Sequence, residues 1–349
     1  MTSPAAAILL CAGLGTRLSP LTDVVPKPLL HFVDVPIVSF ATRAITTLGI
    51  HRIGLNVHRQ ADLFRAWTRE EAARIERTAA TPPPKFLVEE EQDLRGTAGG
   101  LRGVWEAMGS PEGPIVVING DVVADFPLEQ LVKVHRRTSA LATMVVLPAV
   151  AGESPVRLGP KGHFVVELPG PEEPWYAPDL ESSDAVTFAG ISVVDASLID
   201  RLPRENGCVI RHGIGRAMAE GATIAAHRHD GFWADLGTPR RFAQATRLVL
   251  EQPSLLGDLW PHGAPDGSGC WIGDTTRIGR GAVVSPHAFV SSRAWVEPGA
   301  VIGSGTVIGG GCRVIEGARV EQSVLSHGAV AEGVVRQRVL VASRGVRWG

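Results

Sequence analysis

Between Ile272 and Val320 an aliphatic residue returns at every sixth position: Ile272, Ile278, Val284, Val290, Val296, Ile302, Ile308, Val314 and Val320 keep one register, with Gly or Ser beside many of them. A period of six keeps no single helix face apolar, and it is longer than the two-residue alternation of an ordinary half-buried strand. It fits a parallel β-helix, in which each side of a coil sends one aliphatic side chain to the axis and small neighbours let the chain turn the corner. Residues 269–349 are therefore expected to form a short coil, entered through 251–268, whose Pro, Gly and polar content reads as a linker. The end of such a coil must be kept from pairing with other chains, and the arginine-rich tail "VVRQRVLVASRGVRWG" is expected to cap it or to meet another subunit. His287 and His327 lie in the repeats without a catalytic pattern around them, so the coil is read as structural or assembly-related, and cutting in the linker is expected to leave chemistry intact.

The chain begins differently, with "AAAILLCAGLGTRLSPLTDVVPKPLL". Ala5 to Cys11 is a continuous apolar run ended by glycine, which suits a buried strand of a parallel sheet. Gly13 and Gly15 then allow a sharp turn that brings bare N–H groups close to a bulky ligand such as a phosphate, with Arg17 and Lys27 adding fixed positive charge. The spacing is neither that of the dinucleotide fingerprint, which needs a small residue where Leu18 stands, nor that of the P-loop. Only Lys27, Lys85, Lys133 and Lys161 are lysines among 34 basic residues, so a lysine set between two prolines suggests a need for a compact point charge. Helical and strand-like spacings alternate up to about residue 250, which implies right-handed parallel crossovers with ligands outside the carboxyl ends of the strands. "GTAGG", Gly96 to Gly100, is a second glycine loop at a helix start, the run Glu89 to Glu91 before it reads as a solvated strand end, and Asp121 follows "PIVVING" where a carboxylate can face the ligand crevice and bind Mg²⁺.

Taken together, "GLGTRLSPLT", "PKPLL", "EEEQDLRGTAGGL", "INGDV", "FAGISVV" and "FWADLGTP" resemble the signature of the sugar-1-phosphate nucleotidyltransferases, and most of all the mannose-1-phosphate guanylyltransferase branch with its C-terminal hexapeptide repeats. The resemblance covers nearly the whole chain. It implies a Rossmann-like α/β catalytic domain over 1–250 with a mixed, mostly parallel sheet, followed by a left-handed β-helix over 269–349. It also implies an enzyme that joins a nucleoside triphosphate to a sugar-1-phosphate, first of all GTP to mannose-1-phosphate. Arg17 and Lys27 would be the catalytic cations; Leu10, Ala12, Gly13, Gly15, Thr16, Gly96, Thr97, Ala98 and Gly99 would meet the nucleotide; Asn119, Gly120, Glu167 and Gly190 would meet the sugar; and Asp121 and Asp235 would hold Mg²⁺. One departure is Leu168, in "VVELPG", where the family carries a lysine after the glutamate; Lys161, Arg157 and Arg211 are the candidates to supply its charge. Transfer of another nucleotide to another sugar, or a noncatalytic subunit that binds a nucleotide-sugar, stand as the alternatives.

Composition bounds these readings. A chain of 349 residues suits two domains, and a formal charge of −2 without a dense basic block argues against a nucleic-acid or anionic-membrane surface. No apolar run approaches the roughly 18 residues of a membrane span, and no basic segment precedes the first apolar run, so a cytoplasmic homo-oligomer, joined through the coil, is expected. Cys11, Cys208, Cys270 and Cys312 lie far apart and read as core thiols, and His227 and His229 read as a solvated strand rather than a metal pair. His135, His163 and His212 have no partner at ligand spacing.

Overall fold

The computed structural model describes residues 4–78, 82–150, 155–170, 172–176 and 185–348. Their contacts divide into two compact units that do not follow the chain in sequence: 1–13, 41–122 and 126–231 make the first, and 14–40, 123–125 and 232–349 the second.

The first unit is an α/β sheet. Strand β1 (Ala6–Leu10) lies between β2 (Arg52–Val57) and β4 (Pro114–Asn119), and β3 (Lys85–Glu90) pairs beyond β2, all four parallel. Apolar side chains on both faces of β1 explain its central place. The helices α2 (Ala61–Thr78), which buries Phe64, Trp67, Thr68, Glu71 and Ile75 at helical spacing, and α3 (Gly96–Ala107) make the crossovers. On the other side of β4 the sheet turns antiparallel through β9 (Ala185–Asp195), which also pairs with β5 (Ala142–Pro148) and β6 (Pro155–Leu158). The strands β7 (Val165–Leu168) and β8 (Trp175–Tyr176) extend from β6, and β10 (Ile224–Arg228) lies parallel to β5. Helix α4 (Leu128–Thr138) precedes β5, and α1 (Ile37–Thr47) runs from one unit into the other.

In the second unit the six-residue register becomes a three-sided coil of parallel strand pairs, the form of a left-handed β-helix. One side stacks Trp271–Ile272, Phe289–Val290, Val307–Ile308, Val324–Ser326 and Arg338–Val341. The axial residues Val290, Val296, Ile302, Ile308, Val314 and Val320 are fully buried, as the period requires, whereas Ile272 and Ile278 of the first turn remain exposed. Glycines at positive φ, such as Gly299 (68°) and Gly317 (68°), turn corners. The tail is part of the coil: Arg338–Val341 continues it, and Arg344–Arg347 folds back antiparallel on that last strand, covering its edge. Helix α5 (Pro239–Glu251) belongs to the same unit. All four cysteines are free, and Cys11, Cys270 and Cys312 are buried. No helix among the described residues is long and apolar enough to cross a membrane.

Candidate active site

The loop after β1 is shaped by its two glycines in different ways. A Cβ on Gly13 would meet nothing within 4 Å, so its backbone is open to a ligand. Gly15 has φ 63°, and a Cβ there would come within 2.8 Å of Thr22 and 3.3 Å of Lys27, so glycine lets the loop fold back on the segment that carries the lysine. The Thr22 hydroxyl donates to the Gly15 carbonyl at 3.1 Å and fastens the fold-back. Thr16, Arg17 and Leu18 form a short 3-10 turn, with Arg17 pointing to solvent.

Lys27 begins another short turn, Lys27–Leu29, and its side chain is only 7% exposed. A buried ammonium needs a partner. Its Nζ donates to Asp235 Oδ1 at 3.2 Å. Asp235 ends the strand Trp233–Asp235, and the following Gly-Thr-Pro sets the start of α5: the Thr238 hydroxyl accepts from the Arg241 N–H, and Pro239 occupies the first turn. This cap aims Arg241 back at the aspartate, with Nη1 2.8 Å from Oδ2. Arg17 Nη2 lies 4.0 Å from the same oxygen. Gly237 is required beside them, because a Cβ would sit 2.8 Å from Arg17 Nη2 and 2.9 Å from both carboxylate oxygens. Three cations thus surround one carboxylate, an excess of positive charge that suits phosphate oxygens. Arg241 was absent from the sequence-derived candidates; its signal is an arginine in the first helical turn after Asp-x-Gly-Thr-Pro.

In the first unit, Leu10 stands in register between Asn56 and Asn119 at the carboxyl ends of β2, β1 and β4. Cys11 N–H donates to Asn56 Oδ1 at 2.9 Å, and Gly120 N–H donates to the Leu10 carbonyl at 2.9 Å. Ala12 is buried beside the exposed Gly13. Asp121 is close enough to help raise the Cys11 thiol pKa, although burial is the larger cause. Gly190 (φ 74°) brings β9 against Asn119: a Cβ would meet Asn119 Nδ2 at 2.7 Å, so these two sugar-binding candidates are neighbours. Glu167 is paired with Arg157, Nε to Oε2 3.3 Å, because the β6–β7 register sets them opposite. Leu168, one residue on, is fully buried in the hydrophobic core.

The second glycine loop is packed inward. Gly96 (φ 62°) and Gly99 approach the backbone of Gly207 and Glu205 so closely that Cβ atoms would lie 2.4 and 2.3 Å from their carbonyl oxygens. Ala98 N–H donates to the Gly207 carbonyl, and Val209 N–H donates to Thr97 Oγ1. Glu91 differs from the expectation of a solvated strand end: its side chain is fully buried, accepting from Asn56 Nδ2 at 2.8 Å and from the Arg95 N–H at 3.0 Å. Asn56 and Glu91 were both missed as organisers of the strand ends; the signal for Asn56 is an amide inside the apolar run "IGLNV".

No group of three or more His, Cys, Asp or Glu able to hold a metal occurs among the described residues. Asp121 and Asp235 nonetheless offer hard oxygen donors, and a cation such as Mg²⁺ commonly takes one or two carboxylates together with water and substrate phosphates. Asp235 already accepts from Lys27 and Arg241, so a divalent ion bound there would have to displace those cations from its oxygens.

Residues 6–158 match the family model described as nucleotidyl transferase. The chain is 28% identical over 277 residues to mannose-1-phosphate guanylyltransferase catalytic subunit beta of Xenopus tropicalis, covering 78% of this chain and 73% of that protein. It is 27% identical over 295 residues to mannose-1-phosphate guanylyltransferase 1 of Arabidopsis thaliana, covering 80% and 77% respectively. A probable mannose-1-phosphate guanylyltransferase 2 of the same plant is 29% identical over 288 residues, covering 80% and 75%. The match over residues 6–158 and these relatives, together with the Lys27–Asp235 pair and the hexapeptide coil, support a place for the chain in the sugar-1-phosphate nucleotidyltransferase family.

Proposed function

We propose that this protein transfers the guanylyl group of GTP to mannose-1-phosphate, giving GDP-mannose and pyrophosphate. The substrate pair is supported by the names of the relatives, which match over about three quarters of their length. The observation that carries the chemistry is the buried Lys27 paired with Asp235 and flanked by Arg17 and Arg241. A phosphate oxygen of the sugar attacks the α-phosphorus; the new P–O bond forms as the bond to the leaving pyrophosphate breaks, and no protein atom need form a covalent bond. Lys27 supplies a point charge at the reacting phosphate, and Arg17, 63% exposed, is free to turn towards the triphosphate. Leu10, Ala12, Gly13, Gly15 and Thr16 are the proposed nucleotide contacts; in the second glycine loop Ala98 and Gly99 are buried against residues 205–207, which leaves Gly96 and Thr97 as its proposed contacts. The metal is proposed as Mg²⁺ with Asp121 and Asp235 as the carboxylates that would hold it, where it would neutralise charge on phosphate oxygens.

For the sugar we propose Asn119, Gly120, Glu167 and Gly190, with Arg157 as the cation that stands in for the lysine absent at Leu168. Its place beside Glu167 favours Arg157 over Lys161, which lies in the turn between β6 and β7. We further propose a cytoplasmic protein with catalytic residues 1–250, a linker over 251–268 and a coil over 269–349 that serves self-association; the exposed Val283, Trp295, Val330 and Val334 on the coil support the last point.

The test is pyrophosphate release by purified protein with Mg²⁺, each of the four common nucleoside triphosphates and a panel of sugar-1-phosphates. Release is expected only with both substrates present, and fastest with GTP and mannose-1-phosphate. Saturable nucleotide-sugar binding without release from any pair would instead identify a noncatalytic subunit.

A further inference from the structure

The hairpin His31–Phe32/Val35–Pro36 follows Lys27 by four residues, and its tip is buried in the side of the β-helix. Val33 and Asp34 both take positive φ, 45° and 62°, the tight two-residue turn that projects the Asp34 side chain outward from the hairpin. Asp34 Oδ2 accepts from the Ser291 hydroxyl, and Oδ1 accepts from the Gly310 N–H at 2.9 Å, with His31 Nδ1 at 3.4 Å. The Val33 carbonyl accepts from His262 Nε2 at 2.6 Å, and the His31 ring lies 4.2 Å from that of His327. Ser291, Gly310 and His327 follow the strand pairs Phe289–Val290, Val307–Ile308 and Val324–Ser326, so the tip spans three successive turns of the coil. The coil leaves room for it, since a Cβ on Gly309 would come within 2.8 Å of Asp34 Oδ1.

The hairpin is joined rigidly to the active-site loop. Leu30 N–H donates to the Lys27 carbonyl at 3.1 Å, and Ile37 N–H donates to the Leu30 carbonyl at 3.0 Å, closing the hairpin base. Phe32 is buried between Phe40 and Phe242, with ring centroids 5.8 and 6.0 Å away, and Phe242 is the neighbour of Arg241, which holds Asp235. The path from coil to lysine therefore consists of backbone hydrogen bonds and close packing rather than a flexible connection.

We infer that Asp34 is a positioning residue: it pins the Lys27 segment to the β-helix, so that the coil sets where Lys27 stands beside Asp235. This rests on the transferase reading for its kinetic consequence, but not for its structural one. Losing an interaction that orients a charge for a phosphoryl transition state lowers turnover more than substrate affinity, because the misplaced cation still attracts the ligand but meets the reacting oxygen poorly.

Two measurements on the full-length chain test this with Asp34→Ala, Asp34→Asn and Ser291→Ala. Amide hydrogen exchange over residues 22–36 is expected to quicken in Asp34→Ala, and in Ser291→Ala should that first variant fail to fold. Initial rates of pyrophosphate release are expected to show kcat lowered about 10-fold in Asp34→Ala with KM for the triphosphate changed less than about 3-fold, partly restored in Asp34→Asn, which keeps one acceptor oxygen. Exchange at wild-type rates in a folded variant would overturn the clamp, and a kcat within about two-fold of wild type despite faster exchange would overturn the positioning role. If wild type releases no pyrophosphate from any pair, the transferase reading fails by itself, while the exchange result still decides whether Asp34 holds the loop.

Discussion

Glu91 accepts from the Asn56 amide and from the Arg95 N–H inside the first unit, so removing its carboxylate leaves the buried Asn56 amide and the part-buried Arg95 N–H without that acceptor. Glu91→Ala should lower stability by about 3 kcal/mol, read as a shifted urea midpoint at unchanged slope; a loss below about 1 kcal/mol would show that the pair does not organise the strand ends. Its role was hidden in the sequence because "EEE" carries no sign of which carboxylate turns inward. Leu168 gives the converse lesson. The missing lysine was legible, but strand alternation sends Leu168 into the core while Glu167 faces Arg157, so restoring lysine at 168 would bury an ammonium rather than repair a phosphate contact. Leu168→Lys should therefore destabilise the fold by roughly 3 kcal/mol or more. Arg157→Ala should raise KM for the sugar phosphate about 10-fold with a smaller change in that for the triphosphate. Equal effects on both substrates would remove Arg157 from the sugar site.

The hairpin tip and the coil corner that receives it make a small titrating cluster. Burial, and next the neighbouring His31, push the His327 pKa down from 6.5 to about 4, with Asp34 opposing them. Burial alone would raise the Asp34 pKa, yet hydrogen bonds from His31, Ser291 and the Gly310 N–H bring it below its ordinary value, so Asp34 stays charged over this window. Below pH 6.5 the unfolded chain takes up a proton at His327 that the folded chain refuses. The stability it gives is complete above pH 6.5 and is lost as pH falls towards 4, with a slope of at most about 1.4 kcal/mol per pH unit from this one group. Thermal midpoints of wild type and His327→Asn from pH 7 to 4.5 should converge as the pH falls; parallel curves would contradict the assignment. The strand–helix alternation around the glycine loop and the β-helix were legible because period and glycine placement are local signals. The meeting of Asp34 with Ser291 and Gly310 was not, since residues 257 and 276 positions apart carry no mark of each other.

Taken as one chain, the second unit joins what the linear order separates: the segment with Arg17 and Lys27, the Asp235 strand with α5, and the whole coil. The coil contributes none of the candidate catalytic groups, which in the sequence supports a removable module. The clamp on the Lys27 segment supports the opposite expectation. A chain ended at Gln252 should lose at least about 10-fold in pyrophosphate release, and full retention of rate would return the coil to a purely assembly-related role. The central claim is that the ion-paired Lys27 and Asp235 serve guanylyl transfer. It is tested most directly by the initial rate of pyrophosphate release from GTP and mannose-1-phosphate with Mg²⁺, wild type against Asp235→Asn. Wild type is expected to release pyrophosphate and the variant to lose about 10²-fold or more, the scale expected when a positioned charge is removed; an undiminished rate in a folded Asp235→Asn would contradict this role.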